Sequence, residues 1–213
     1  VGTPGRAPPS REENAIKYLW AVVFVVVLVW SGIRPADRLT WWLEVLPALV
    51  GAVVLLGTYR RFRLTPLVYG LVLLHCLVLM VGGHYTYAEV PFFDGWFGFE
   101  RNNYDKVSHF FQGFVPALIA REILIRRRAV NGRGWLALFV ISVALAISAC
   151  YELIEWWVAL LSRQAAEAFL GTQGYVWDTQ SDMALALLGA ICAVALLSRV
   201  QDRQIRRLTD GGG

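Results

Sequence analysis

Three short-range pairs carry most of the chemistry this sequence offers. Asp105 and His109 are four residues apart in Y-D-K-V-S-H-F-F, Glu152 and Glu155 three apart in C-Y-E-L-I-E-W-W, and Asp178 and Asp182 four apart in W-D-T-Q-S-D-M-A. On a helix, residues three or four positions apart share a face. Each pair can therefore present two ligating or proton-carrying groups in one direction. If the pairs face a common axis, they form a cup of five carboxylates and one imidazole, which His84 completes. So many carboxylates cannot stay ionised together in a low-dielectric site without compensation. A bound cation, protons, or the nearby Arg101 and Lys106 would supply it.

Three functions fit such a cup. An oxygen-rich ligand set with a histidine suits Mg, Mn, Fe or Zn. The bound divalent metal would then activate water or polarise a phosphoryl or carbonyl oxygen. Alternatively, the carboxylates belong to a transporter or a small-molecule or cation-binding protein. Lastly, they form a structural polar cluster bonded to Ser, Tyr, Trp and Arg between helices. H-E-x-x-H, E-x-x-H and glycine-rich phosphate loops are all missing from the sequence.

The elements that must hold these residues are long apolar blocks. The chain has 213 residues, 57% hydrophobic and 17% charged, with mean hydropathy +0.50. A soluble domain is typically about 45–50% apolar and about 25% charged. A span needs about 20 apolar residues, and six blocks qualify: 15–33, 41–59, 64–83, 104–125, 135–161 and 179–200. They are too long and too continuous for strands, and in lipid the backbone must satisfy itself, which selects helices. The expected fold is an all-α polytopic membrane bundle of about six helices. Residues 1–13 are expected to form a disordered tail, 14–201 one transmembrane domain, and 202–213 a cytoplasmic C-terminal tail. The first block lacks an A-x-A-like cleavage site and reads as a span rather than a signal peptide.

Fifteen of the twenty basic residues fall on one face of this arrangement, near the N-terminus, at 60–63, at 121–133 and after 198. By the positive-inside rule both termini are cytoplasmic. The net charge of +4 is spread over these short clusters, so it marks topology and anionic-lipid contact rather than nucleic-acid binding. With this orientation, the end of span three, the start of four, the late part of five and the start of six all lie on the non-cytoplasmic side. Acidic and histidine residues within spans are functional hypotheses by default, and here they share one layer. Arg101 and Lys106 read as a substrate rim that positions an anionic headgroup. The aromatic stretch 84–103 reads as an interfacial belt or a lid over the cup, and 171–177 similarly. His75, mid-span, reads as a satisfied interhelical hydrogen bond. Cys76, Cys150 and Cys192 are dispersed in apolar blocks and read as free thiols.

The segment F-F-D-G-W-F-G-F-E-R-N-N-Y-D-K-V-S-H-F-F-Q-G-F, with Y-E-L-I-E-W-W and G-T-Q-G-Y-V-W-D-T-Q-S-D-M, resembles the YjdF-like family of bacterial inner-membrane proteins. The resemblance covers nearly the whole chain after the N-terminal tail and implies a multi-pass inner-membrane location. More remotely, Asp105-Lys106-x-x-His109-Phe110, Glu152 and the D-x-x-x-D run from Asp178 to Gly189 resemble motifs of VanZ-like membrane proteins, which are linked to glycopeptide resistance. Ala186 stands where those proteins often carry Asn, and the fifth span carries E-x-x-E.

The most concrete expectation is a metal-dependent enzyme acting on a lipid or lipid-linked substrate. Asp105, His109, Glu152, Asp178 and Asp182 would hold the metal, and Glu155 would be a supporting group or general base. His84 would be an acid/base at the rim.

Overall fold

A computed structural model describes residues 11–93, 101–161 and 172–210. Among these residues there are six α-helices and no extended strand: α1 Arg11–Gly32, α2 Arg38–Thr58, α3 Pro66–Tyr85, α4 Tyr104–Arg126, α5 Arg133–Leu161 and α6 Asp178–Asp210. Each follows one of the expected blocks. Five are long and apolar enough to cross a membrane. The remaining one, α4, has 23 residues and spans about 34 Å, but Asp105, Lys106, Arg121, Glu122 and Arg126 dilute its hydropathy. It tolerates them because it sits in the middle of the bundle, against α3, α5 and α6. By contrast, α1 and α2 pack mainly on α3. Lipid-facing positions such as Val22, Val26, Val53, Leu56, Leu138 and Leu196 are exposed apolar side chains, which a soluble surface would seldom present in such numbers.

Local chemistry fixes the helix ends. The Asp37 carboxylate accepts from the Thr40 amide at 2.7 Å and caps α2. That bond holds the Asp37 carboxyl below its ordinary range. Pro66 occupies the first turn of α3, where a missing N–H costs nothing. The Thr65 amide before it is satisfied from another helix, by Glu122 of α4 at 2.9 Å. Thr86, with φ 58°, ends α3 in the left-handed region, and the Tyr87 amide turns back onto the Gly82 carbonyl.

The helices alternate in direction. At one end, the Ala36 amide donates to the His84 carbonyl, and the Asn102 amide to the Gln173 side chain. Those bonds join the α1–α2, α3–α4 and α5–α6 connections. At the other end, Glu122 holds Thr65, Gln204 accepts from the Leu67 amide, and Arg121 pairs with Asp202 at 2.8 Å. The second end carries the arginine clusters. Reporter fusions after Arg63 and after Arg128 are expected to read cytoplasmic, and one at Glu89 the opposite side. A cytoplasmic signal at Glu89 would overturn the orientation.

Two boundaries differ from the sequence expectation. Helix α1 begins at Arg11, inside the expected tail; residues 1–10 lie outside the described ones. Helix α6 continues to Asp210, through most of the expected C-terminal tail. That extension is amphipathic: Gln201 and Ile205 are buried, while Asp202 and Gln204 bond to α4 and α3. Packing against neighbours, rather than lipid, supports the last three turns.

Helices α4 and α6 meet backbone to backbone. A Cβ on Gly113 would run into the Ala186 carbonyl oxygen, and one on Gly189 into the Phe110 carbonyl oxygen. Small residues let membrane helices meet backbone to backbone. Gly113 lies one turn below His109, and Ala186 one turn below Asp182, so this crossing sets the spacing of the acidic layer.

Candidate functional site: a buried carboxylate layer and its cavity

The layer is assembled from the first turns of α4 and α6 and the late part of α5. Asn102, 2% exposed, anchors its edge. Its side-chain amide donates to the Val90 carbonyl at 2.7 Å, its side-chain oxygen caps the Tyr104 amide, and its backbone pairs reciprocally with Gln173. This fixes where Arg101 and the start of α4 lie relative to α6.

Arg101 donates to Asp178 at 2.7 Å. Lys106 bridges Asp178 at 2.8 Å and Asp182 at 2.6 Å, and lies 3.7 Å from Asp105. Both basic side chains are mostly buried, 10% and 17% exposed, under the Tyr175 ring, which packs on each cation. The rim expectation for Arg101 and Lys106 is therefore corrected. They sit within the layer, because crowded carboxylates need counter-charges at contact distance.

His109 lies on the other side of Asp105. Its Nε2 is 3.2 Å from Asp105 Oδ1 and its Nδ1 3.7 Å from Glu152 Oε1. One donor atom from each of Asp105, His109 and Asp182 lies within 4.8 Å of the others. Asp105 Oδ2, His109 Nδ1 and Glu152 Oε1 are buried without a hydrogen-bond partner. Asp105 Oδ2 lies 3.8 Å from Arg101 and 3.7 Å from Lys106, and His109 Nδ1 and Glu152 Oε1 face each other at 3.7 Å, so these atoms are held by longer ion-pair contacts rather than by hydrogen bonds.

Behind this layer, α2, α3, α4 and α5 enclose a cavity of about 190 Å³. Its polar lining is Glu44, Asp105, His75, His109, Glu155, Tyr87, Ser108, Tyr151 and Gln112; Pro47, Leu79, Pro116 and Ile147 make the apolar wall. The Tyr151 hydroxyl donates to Glu44 at 3.1 Å. Tyr87, in the turn after α3, also bonds Glu44, and burial pushes its phenol well above the ordinary range, so it stays a donor. Pro47 and Pro116 each interrupt a helix at the cavity. Proline removes an intrahelical bond, an irregularity that membrane helices accept where they line a cavity or neighbouring groups compensate.

Six of the expected residues converge here: Asp105, His109, Glu152, Glu155, Asp178 and Asp182, all 8% exposed or less. His84 does not join them. Its ring packs on Trp30 and its Nδ1 lies 2.9 Å from the Ser31 carbonyl, facing α1. Asp178 is engaged by Arg101 and Lys106 and lies outside the three-residue donor group. His75 is corrected as well: it lines the cavity, and its buried Nε2 has no hydrogen-bond partner. Residues 94–100 and 171 of the expected lid segments lie outside the described ones, whereas Tyr87, Val90 and Tyr104 form a small buried cluster at the base of the first segment. Glu44 was missed, although an acidic residue inside the apolar block W-W-L-E-V-L-P carries the same signal as Glu152.

The fold and the layer define a class, that of polytopic helical membrane proteins with an ionisable interior. Within that class the chain belongs to the family described as "Predicted membrane protein (DUF2238)", whose profile matches residues 16–203. It is 55% identical over 190 residues to Inner membrane protein YjdF of Escherichia coli (strain K12), which covers 88% of this chain and 91% of that protein. No solved structure is significantly similar. The protein is an integral inner-membrane protein, as its YjdF-like motifs implied.

Proposed function

We propose that this protein binds a divalent cation within the membrane and uses it as an enzyme on a lipid or lipid-linked substrate. The observation that carries the reading is the buried donor group of Asp105, His109 and Asp182, with atoms of Asp105, His109 and Glu152 that make no hydrogen bond and only longer ion-pair contacts. Oxygen donors with one imidazole suit Mg, Mn, Fe or Zn. In this reading Asp105, His109 and Asp182 hold the ion, Glu152 closes the set, and Lys106 swings from Asp182 when the ion enters. Glu155, at the cavity wall, serves as general base. Bound there, the ion would supply Lewis-acid activation of water or of a phosphoryl or carbonyl oxygen. His84, turned to α1, has no part in this chemistry.

A transport pathway is the weaker alternative. Between the acidic layer and the arginine-rich end, Val68, Val115, Leu118 and Val140 are 0–1% exposed. They form an apolar plug that favours a one-sided site. A structural cluster has one observation in its favour, the Lys106 bridge that already neutralises Asp178 and Asp182.

Asp182→Asn separates the metal and structural readings, since it keeps the volume and removes a charged ligand. With a bound ion, affinity is expected to fall about 10–100-fold, and thermal stability with it, because a ligand of the folded state stabilises by mass action. In a metal-free cluster the same substitution weakens the Lys106 bridge at 2.6 Å, and the loss of stability is then the same with and without chelator. Elemental analysis of protein purified without chelator, with melting curves of both forms with and without EDTA, separates the two. A wild type that holds no metal and melts alike with and without EDTA ends the metal reading.

A further inference from the structure

We infer that the cavity between α2, α3, α4 and α5 is a binding site for a primary ammonium group carried on an apolar body about the size of one aromatic ring. The inference concerns a neighbouring space and does not need the metal: Asp178, Asp182 and Glu152 lie outside the cavity lining, although Asp105 and His109 border both.

Charge is the first argument. Three carboxylates, from Glu44, Asp105 and Glu155, line the cavity, and among the described residues neither Arg101 nor Lys106 does. Asp105 is paired with His109, Arg101 and Lys106, which leaves Glu44 and Glu155 as the lining carboxylates that form no ion pair with a lysine or arginine among the described residues. An anionic headgroup is repelled by these two, whereas a cation is attracted to them. Hydrogen bonding is the second argument. Gln112 lines the cavity, is 9% exposed, and its Oε1 has no hydrogen-bond partner. That oxygen is an acceptor, so with the carboxylates of Glu44 and Glu155 it calls for a group that brings several N–H donors, as an alkylammonium does.

Size and the opposite wall define the rest of the ligand. Pro47, Leu79, Pro116 and Ile147 offer no hydrogen-bonding side chain. The volume of about 190 Å³ exceeds the roughly 150 Å³ that accommodates benzene in an apolar cavity. One ring with a short aminoalkyl arm fills such a space.

The test uses the full chain in detergent, with EDTA present, and three probes of equal size: benzylamine, benzyl alcohol and benzoate. Calorimetry is expected to give benzylamine a Kd at least tenfold below that of benzyl alcohol, with benzoate weakest. Glu155→Gln is expected to weaken benzylamine at least tenfold and leave benzyl alcohol unchanged; Gln112→Leu should weaken benzylamine several-fold. Equal affinity for the amine and the alcohol in wild type overturns the inference, whether or not the variants fold. Metal analysis on protein purified without chelator, before EDTA is added, keeps the two proposals apart. Bound metal without amine preference removes this site alone, and amine preference without metal removes the other.

Discussion

Gly113→Ala is expected to be among the most damaging single-methyl changes available in this protein. The added Cβ points at the Ala186 carbonyl oxygen, and that atom belongs to helix backbone. A flexible side chain could step aside; a carbonyl in the middle of α6 moves only if the helix moves. Overpacking of this kind commonly costs about 1–3 kcal/mol and occasionally more, and the absence of any give places this site at the upper end, about 3 kcal/mol. Gly189→Ala should behave alike, since its Cβ meets the Phe110 carbonyl oxygen. Gly51→Ala and Gly70→Ala provide the controls. A Cβ at either meets nothing within 4 Å, and alanine is the better helix former by about 1 kcal/mol. Unfolding in detergent should therefore show a large loss at 113 and 189 and a neutral or slightly positive change at 51 and 70. Equal effects at all four positions would refute the backbone-contact account. A second readout ties this packing to the site. His109 and Asp182 sit one turn above the crossing, so a variant that still folds should separate them and lose affinity for any shared ion.

What the sequence made legible follows from what periodicity encodes. Apolar blocks set the six helices to within a few residues, because lipid rewards continuous hydrophobicity wherever it occurs. The exceptions lie where packing replaces lipid. The end of α6 is charged along most of its length, and the contacts of Gln201, Asp202 and Gln204 with α4 and α3 that extend it are long-range. Depth along the helix axis was also legible: Asp105, Glu152 and Asp182 share a layer because their positions within alternating helices put them there. Direction around the axis was less so. His84 lies at the expected end of its helix and yet faces Trp30 and Ser31, since nothing in one sequence says which neighbour a lone residue meets. The i,i+4 pairs did better because two polar residues on one face leave few places to point. Arg101 and Lys106 had two readings in the sequence, counter-charges of the carboxylates or a rim for an anionic headgroup. Their contacts with Asp178, Asp182 and Asp105 favour the first. The Asn102–Gln173 pair, which pins the two connections together, joins positions 71 residues apart and left no local signal.

Lys106→Met carries the other large expected effect, and its dependence on added metal is more informative than its size. Methionine keeps the length and apolar bulk of the stem and deletes the ammonium. Asp178 and Asp182, with side chains 7% and 4% exposed, lose contacts of 2.8 and 2.6 Å. Arg101 still holds Asp178, so Asp182 becomes the stranded charge. Removing one partner of a buried ion pair typically costs about 3–5 kcal/mol. That loss is expected in EDTA under either reading of the site. With divalent cation added, the readings diverge. If Asp105, His109 and Asp182 form an ion site, removal of a competing ammonium opens it, and an ion at about 1,000 times its Kd restores about 4 kcal/mol. The variant should then gain more from added Mg, Mn or Zn than wild type does, since wild type must first displace Lys106. If Lys106 is itself the permanent cation of a structural cluster, added metal leaves the variant as unstable as before, and the remedy is a second substitution. Lys106→Met with Asp182→Asn removes the stranded charge together with its lost partner. Charge pairs in contact couple by about 0.5–3 kcal/mol, and the double variant should recover by that amount in EDTA. Melting curves of the four forms, each with and without divalent ion, therefore decide whether the carboxylate layer is built around a lysine or around a metal.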